Sequence, residues 1–291
     1  MLATPCSPDA VASLVAESMS VDRHPPLSEH KSRAIGGAVA ARIGCWGAEG
    51  AVDIVSVAAS HRRADGATHW ALEVAVRPNA RTAAIERESL ERALSLLPGR
   101  ETVTLWTHRD AQRLAAEALG FTTFRELLMM AKDLPAADPE APEEYAVRRF
   151  VPGRDEETIV AINNAAFSGH RENDNMTPDD LSAIEEMPWF EAAGLLVATR
   201  DDRAAGFCWT KVHSDGSGEI YIIAVSPEHR GRGLGRWLVL EGLAQLHQRR
   251  GVSRAVLWTD ADNLQAMRLY ESLGFVRALV NREMRRDQPN G

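Results

Sequence analysis

Three glycines in five residues, Gly231, Gly233 and Gly235, stand between an apolar run and an amphipathic one. Without β-carbons the backbone there can approach a ligand closely and aim several N–H groups at one point, which suits an anion. The apolar residues that follow, Leu234, Trp237, Leu238, Leu240, Leu243 and Ala244, recur at helical spacing and stop at Gly251. A helix N-terminus therefore points its partial positive charge at the same place. Pyrophosphate fits this arrangement, and so does a plain surface turn between strand and helix. Glu219 leads an apolar run, where partial burial would make it a useful proton acceptor and full hydration would leave it a rim carboxylate. Tyr270 shares helical spacing with Ala266, Met267 and Leu273, which fits a core aromatic as well as a phenol placed for chemistry.

The elements that must position these groups repeat. The run 219–225 reads as a strand, with Glu219, Tyr221 and Ile223 on one face and Ile220, Ile222 and Ala224 on the other, ending at Pro227. A similar run, 71–76, ends at Pro78, with Val74, Ala75 and Val76 matching its far end. Leu105-Trp106-Thr107 followed by Gly120-Phe121 is answered by Leu257-Trp258-Thr259 followed by Gly274-Phe275. Each pair predicts a strand and then a helix stopped by Leu-Gly-Phe, glycine taking the left-handed position after the last turn. The contents differ: four residues before the closing glycine stand Tyr270 in one copy and Ala116 in the other, and no glycine occurs in the loop 80–85. Between the copies, 133–147 holds three prolines and five carboxylates and reads as a linker.

The 291 residues are enough for two cores, and 41 acidic against 33 basic residues, with no basic tract, argue against a nucleic-acid partner. No stretch is long and apolar enough for a membrane span and the first residues lack the features of a signal peptide, so the expectation is a cytosolic protein with no membrane partner; a monomer is expected as well. Cys6, Cys45 and Cys208 form no CxxC pair and are expected as reduced thiols. The nine histidines show no ligand spacing, and no metal is expected.

Arg230-Gly231-Arg232-Gly233-Leu234-Gly235 resembles the RxxGxG/A loop of the GNAT acetyltransferases, with Arg230, Gly233 and Gly235 in its defining positions. The later Asp262-Asn263-Leu264-Gln265-Ala266-Met267-Arg268-Leu269-Tyr270 resembles the second signature of that superfamily, and the two stand in the right order. The resemblance implies an α/β (α+β) chain of two tandem GNAT (acyl-CoA N-acyltransferase) domains, each a mixed twisted sheet flanked by helices. The first, 1–138, would be degenerate and the second, 145–291, catalytic, with acetyl-CoA as cosubstrate. It further implies that Gly231 to Arg236 hold the pyrophosphate with Arg230, and that Asn263 to Arg268 line the cofactor. The backbone of Ile223, Ala224 and Val225 would bind the thioester arm, Glu219 would be the general base and Tyr270 the general acid. An ordinary phenol, of pKa about 10, can protonate a thiolate whose conjugate acid lies near 8.5.

Three further segments resemble the mycothiol synthase family: 148–156, 163–172 and 206–213. That likeness implies an acceptor amine on cysteinyl-glucosaminyl-inositol, contacted by Glu29, Glu172, Lys211, Glu219 and Trp258. The chain departs from the family in three places. Residues 80–85 replace a glycine-bearing loop that holds a second acetyl-CoA, Trp258 stands for a tyrosine, and 173–176 lack the usual glycine and tryptophan. A GNAT enzyme acting on another amine and a non-catalytic acyl-CoA sensor are the competing possibilities.

Overall fold

The structure is a computed structural model that describes residues 2–3, 6–22, 24–28, 31, 34–35, 41–47, 52–62, 68–98, 101–169, 175–213 and 215–287. It comprises two compact units, one of Met1–Leu127 with Val280–Gly291 and the other of Leu128–Leu279.

In the first unit the strands run β1 (Leu2–Ala3), β2 (Arg42–Gly47), β3 (Ile54–Arg62), β4 (Thr68–Val76) and β5 (Thr102–Thr107), each beside the next. All pair antiparallel except β4 with β5, which are parallel as a helical crossover between them requires. The far side of β5 pairs antiparallel with Arg282–Arg286, the end of β12 (Val276–Arg286), so the unit's sheet is completed from the far end of the chain. Helix α1 (Pro8–Asp22) lays Val11 and Leu14 against Val55, Val57 and Ala75 on one face. On the other face α2 (Ala83–Ser95) and α3 (Asp110–Ala118) bury Leu90, Ala93, Ala115 and Ala116 against Leu72, Val74 and Leu105. The division expected at 138/145 follows the proline-rich composition, whereas contacts divide the chain inside β6 (Thr122–Asp133) and again inside β12.

Cys6 and Cys45 are joined by a disulfide, which corrects the expectation of three reduced thiols. Sequence spacing hid the pairing because 39 residues separate the two, while the fold brings their Cα atoms to 5.4 Å, within disulfide reach.

The second unit has the strand order β6-β11-β10-β9-β8-β7, with β7 (Ala146–Arg149), β8 (Leu195–Arg200), β9 (Arg203–Val212), β10 (Gly218–Val225) and β11 (Arg254–Asp260). Helices α4 (Glu156–Ala166) and α5 (Pro178–Glu185) cover one face, where Ile159, Ile162 and Leu181 pack on Phe207, Trp209 and Ala224. Helix α6 (Leu234–Arg250) covers the other, running to Gly251 as its apolar spacing predicts. It lies close: a β-carbon at Gly242 would stand 2.7 Å from Cys208 Sγ and 2.8 Å from Ile220 Cδ1, so only glycine fits there. Helix α7 (Leu264–Ser272) follows β11, and the Phe275 N–H closes it by donating to the Tyr270 carbonyl at 3.0 Å. Phe121 closes α3 on Ala116 in the same way, as the paired Leu-Gly-Phe stops predict.

Candidate active site

The site is built around a release point in the sheet of the second unit. Strand β10 pairs in parallel with β11 only over Gly218–Ile220 against Ala255–Leu257, while its antiparallel ladder with β9 runs on to Val225. Past Ile220 the parallel ladder with β11 stops, so the far part of that edge of β10 is a place where a ligand could bond to the strand. At the same point the β9 ladder slips: Ile220 faces Thr210, Ile222 faces Trp209, and Tyr221 is the extra residue of a bulge. The bulge corrects the simple alternation along 219–225. Tyr221 does share the face of Glu219, where both lie with Lys211 and Trp209. Beyond the bulge, however, Ile222 and Ala224 continue that face and pack with Trp209 and Phe207, while Ile223 and Val225 turn with Cys208 and Gly206 toward α6.

Glu219, the second residue of β10, stands opposite Lys211 and is nearly buried, its side chain 10% exposed. One carboxylate oxygen, Oε2, lies 2.8 Å from His213 Nε2. The Lys211 ammonium sits 4.1 Å from the centre of the Trp189 ring and 5.6 Å from that of Tyr221, a cation–π arrangement. Trp189, Trp209 and Tyr221 meet in pairs at 5.2 to 5.9 Å, a cluster in which Trp209 is buried and Tyr221 is exposed.

Tyr270, on α7, belongs to the opposite face. It is buried, packs edge-on against Phe275 at 6.0 Å, and is pushed up to about 12 by burial first and the neighbouring Cys208 second. Its phenol therefore stays protonated at neutral pH. Cys208 is itself pushed up to about 12 by burial and then by the charge of Glu241, so it is no nucleophile. Glu219 and Tyr270 thus lie on two sides of the sheet.

The glycine loop ends at the mouth of this opening. Gly233 takes a left-handed conformation (φ 80°) as the N-cap of α6 and offers no side chain to the first turn, leaving the N–H groups of Leu234, Gly235 and Arg236 for an anion. The loop is anchored from three sides: Tyr145 meets His229 at 2.9 Å, Arg230 donates to the Ala166 carbonyl at 2.9 Å, and Arg236 donates to Ser272 Oγ at 3.0 Å. Arg232 is exposed. A β-carbon at Gly235 would stand 3.9 Å from both Val225 Cγ2 and Leu269 Cδ2, so the ends of β10, α6 and α7 converge there. Asn263 caps α7 by accepting from the Ala266 N–H at 3.1 Å, and Leu264, Gln265 and Arg268 are exposed in its first turns, with Met267 turned inward. Trp258 is the first residue of β11 beyond the parallel ladder.

The matching region of the first unit is filled from within. The ladder of β4 with β5 also stops, at Leu72 against Leu105. There, however, the Gln112 side chain donates to the Val74 carbonyl at 2.9 Å, and Arg81 donates to the Val76 carbonyl at 3.0 Å while gripping Asp22 through two bonds of 2.7 Å. Helix α2 is capped by the Thr82 hydroxyl and carries buried Glu86, paired with Arg109, in its first turn. Counting eight residues back from each closing glycine, Ala266 stands where the first unit has Gln112.

An acetyltransferase (GNAT) family model matches residues 157–275, the span from α4 to the end of α7. A mycothiol acetyltransferase of Kocuria rhizophila is 35% identical over 286 residues, covering 93% of each chain. The chain belongs to the mycothiol acetyltransferase family. Another such protein, from Thermobispora bispora, is 45% identical over 199 residues, covering 65% of this chain and 67% of its own. In fold the chain is similar to a solved tandem GNAT protein from the clavulanic acid biosynthesis pathway, with a TM-score of 0.71, 16% identity and coverage of 100% and 99%. A member of the mycothiol acetyltransferase family is an acetyl-CoA-dependent N-acetyltransferase, and the released strand edge and uncapped helix end fit that cosubstrate.

Of the residues singled out in the sequence, Glu219 and Lys211 face each other across β10 and β9, the 223–225 strand end lies further along β10 beyond the bulge, and Tyr270 lies across the sheet near Cys208. Glu29 and Glu172 lie outside the described residues. Sequence reasoning missed His213, Trp189 and Tyr221. The first had a signal, since Asp215-Gly216 between two strand-like runs marks a hairpin that brings residues 213 and 219 together. Trp189 comes from the segment after α5, which no local pattern ties to β10.

Proposed function

We propose that this chain makes mycothiol, moving acetyl from acetyl-CoA to the cysteinyl amine of cysteinyl-glucosaminyl-inositol, with CoA as the second product. The observation that carries the chemistry is the release of β10 from β11 beyond Ile220, with a nearly buried carboxylate on one face and a firmly protonated phenol on the other. Glu219 takes a proton from the acceptor ammonium, directly or through water. The free amine attacks the thioester carbonyl, whose oxygen is held by a backbone N–H among Ile223, Ala224 and Val225. Tyr270 then protonates the departing thiolate. A cysteinyl α-amine, with a pKa of about 8, needs only a modest base at neutral pH. Arg230 to Arg236 and Asn263 to Arg268 hold the coenzyme. Lys211, Trp258, Glu29 and Glu172 contact the pseudo-disaccharide, and the Trp189 and Tyr221 rings back its apolar faces. In this role the chain works as a cytoplasmic monomer on small molecules, without a metal.

The test is thiol release from acetyl-CoA with cysteinyl-glucosaminyl-inositol beside cysteine, glucosamine, spermidine and an aminoglycoside. The first acceptor should give the highest kcat/KM by at least about tenfold. Equal or better turnover of a control would reject the acceptor and leave the acetyl-transfer chemistry standing.

A further inference from the structure

We infer that His213 is a positioning residue that holds the Glu219 carboxylate aimed into the acceptor cleft. The inference rests on Glu219 acting as the base. His213 follows the last residue of β9, and the hairpin to β10 fixes its backbone twice: its N–H donates to the Ser217 carbonyl at 2.8 Å and its carbonyl accepts from Gly216 at 3.0 Å. Asp215 ties the turn further, accepting from the Ser217 N–H at 2.9 Å and hydroxyl at 2.6 Å. The imidazole therefore leaves a braced turn and reaches Glu219 Oε2 at 2.8 Å.

A polar group this nearly buried needs a hydrogen-bond partner. Across β9, Lys211 is the register partner of Glu219, but its ammonium stands over the Trp189 ring, and Val256, the partner on β11, brings no charge. Asp215 lies in the same turn beyond His213, where it is engaged by the Ser217 N–H and hydroxyl. His213 is the donor that the geometry gives Oε2, through its Nε2–H. Oε1 is then left for the acceptor ammonium. The histidine side chain is 34% exposed against 10% for the glutamate, so it stands on the solvent side of the pair. There it shields the carboxylate without blocking the cleft.

The test is a double-mutant cycle on the full chain with acetyl-CoA and cysteinyl-glucosaminyl-inositol, comparing wild type, His213→Ala, His213→Gln, Glu219→Gln and the His213→Ala/Glu219→Gln pair across pH 6 to 9. Melting temperature and acetyl-CoA affinity report on folding. His213→Ala should lower kcat by about tenfold at neutral pH and move the acidic limb of kcat/KM to higher pH, with acetyl-CoA affinity unchanged. His213→Gln, which keeps an N–H donor, should recover most of the loss. In the Glu219→Gln background, removing His213 should add nothing. Effects that multiply in the double variant, or a His213→Ala loss confined to acceptor KM with the pH profile intact, would overturn the inference while leaving Glu219 as the base. Wild-type turnover by Glu219→Gln would instead remove the base itself, and the inference with it.

Discussion

Tyr270 shows how much one residue's role depends on burial. In water a phenol begins to ionise near pH 10. Here burial pushes it up to about 12, so as a proton donor it stays loaded over the whole working range. Replacing Tyr270 by Phe should cut kcat by on the order of 100-fold with acetyl-CoA affinity within about twofold, since the ring still fills its place against Phe275. In the wild type, kcat should show no tyrosine-linked fall below about pH 11; a fall near pH 10 that disappears in Tyr270→Phe would contradict the buried-donor account. The sequence allowed two roles for this residue, core aromatic and proton donor, and the structure shows a phenol that is part of the core. Glu219 was legible as a carboxylate at a strand start, but its partner was not, because a hydrogen bond across a hairpin depends on turn geometry rather than on strand periodicity.

At the scale of elements, α4 is held at its start by Asp155. Its carboxylate accepts from Arg148 at 2.5 and 3.0 Å and from the Val151 N–H at 2.9 Å. Burial alone would raise it, but the bonds from Arg148 and Arg154 and the Val151 amide outweigh that and hold it at about 2. A depressed carboxyl adds stability above its unfolded pKa of about 3.9, and that contribution is lost as pH falls through the folded value. Asp155→Asn should therefore cost on the order of 2 kcal/mol at pH 7, read as a lower urea midpoint. The gap from wild type should shrink between about pH 4 and pH 2. A gap that does not change with pH would assign the effect to shape rather than charge. The helices and strands were largely legible from apolar spacing and glycine stops, and α6 runs from the glycine loop to Gly251 as read. The Tyr221 bulge was not: alternation has a period of two, and one extra residue turns every later side chain to the other face without marking the sequence.

For the whole molecule, the two units share a fold pattern but differ in what fills the released edge of their sheets. In the first unit Gln112 and Arg81 satisfy carbonyls at the end of β4, and Thr82 and Glu86 occupy the start of α2. The chain should accordingly bind one acetyl-CoA, measured as a stoichiometry near one by titration calorimetry; two equivalents would show that Gln112 and Arg81 yield to a ligand. The missing glycines in 80–85 pointed this way, though the groups that take the ligand's place could not be named without the fold. Nor could spacing show that Arg282–Arg286 would lie beside β5. That pairing sets a schedule for the nascent chain. About 175 residues must be translated after Thr107 before its last strand partner is made, a delay on the order of ten to thirty seconds at ribosomal speed. Through that interval the first unit waits with one side of β5 open, while the residues of the second unit, made in between, can already form most of their own sheet. The unit that is synthesised first is thus the one that closes last, and the exposed edge of β5 is where a chaperone, or a second unfinished chain, would find it.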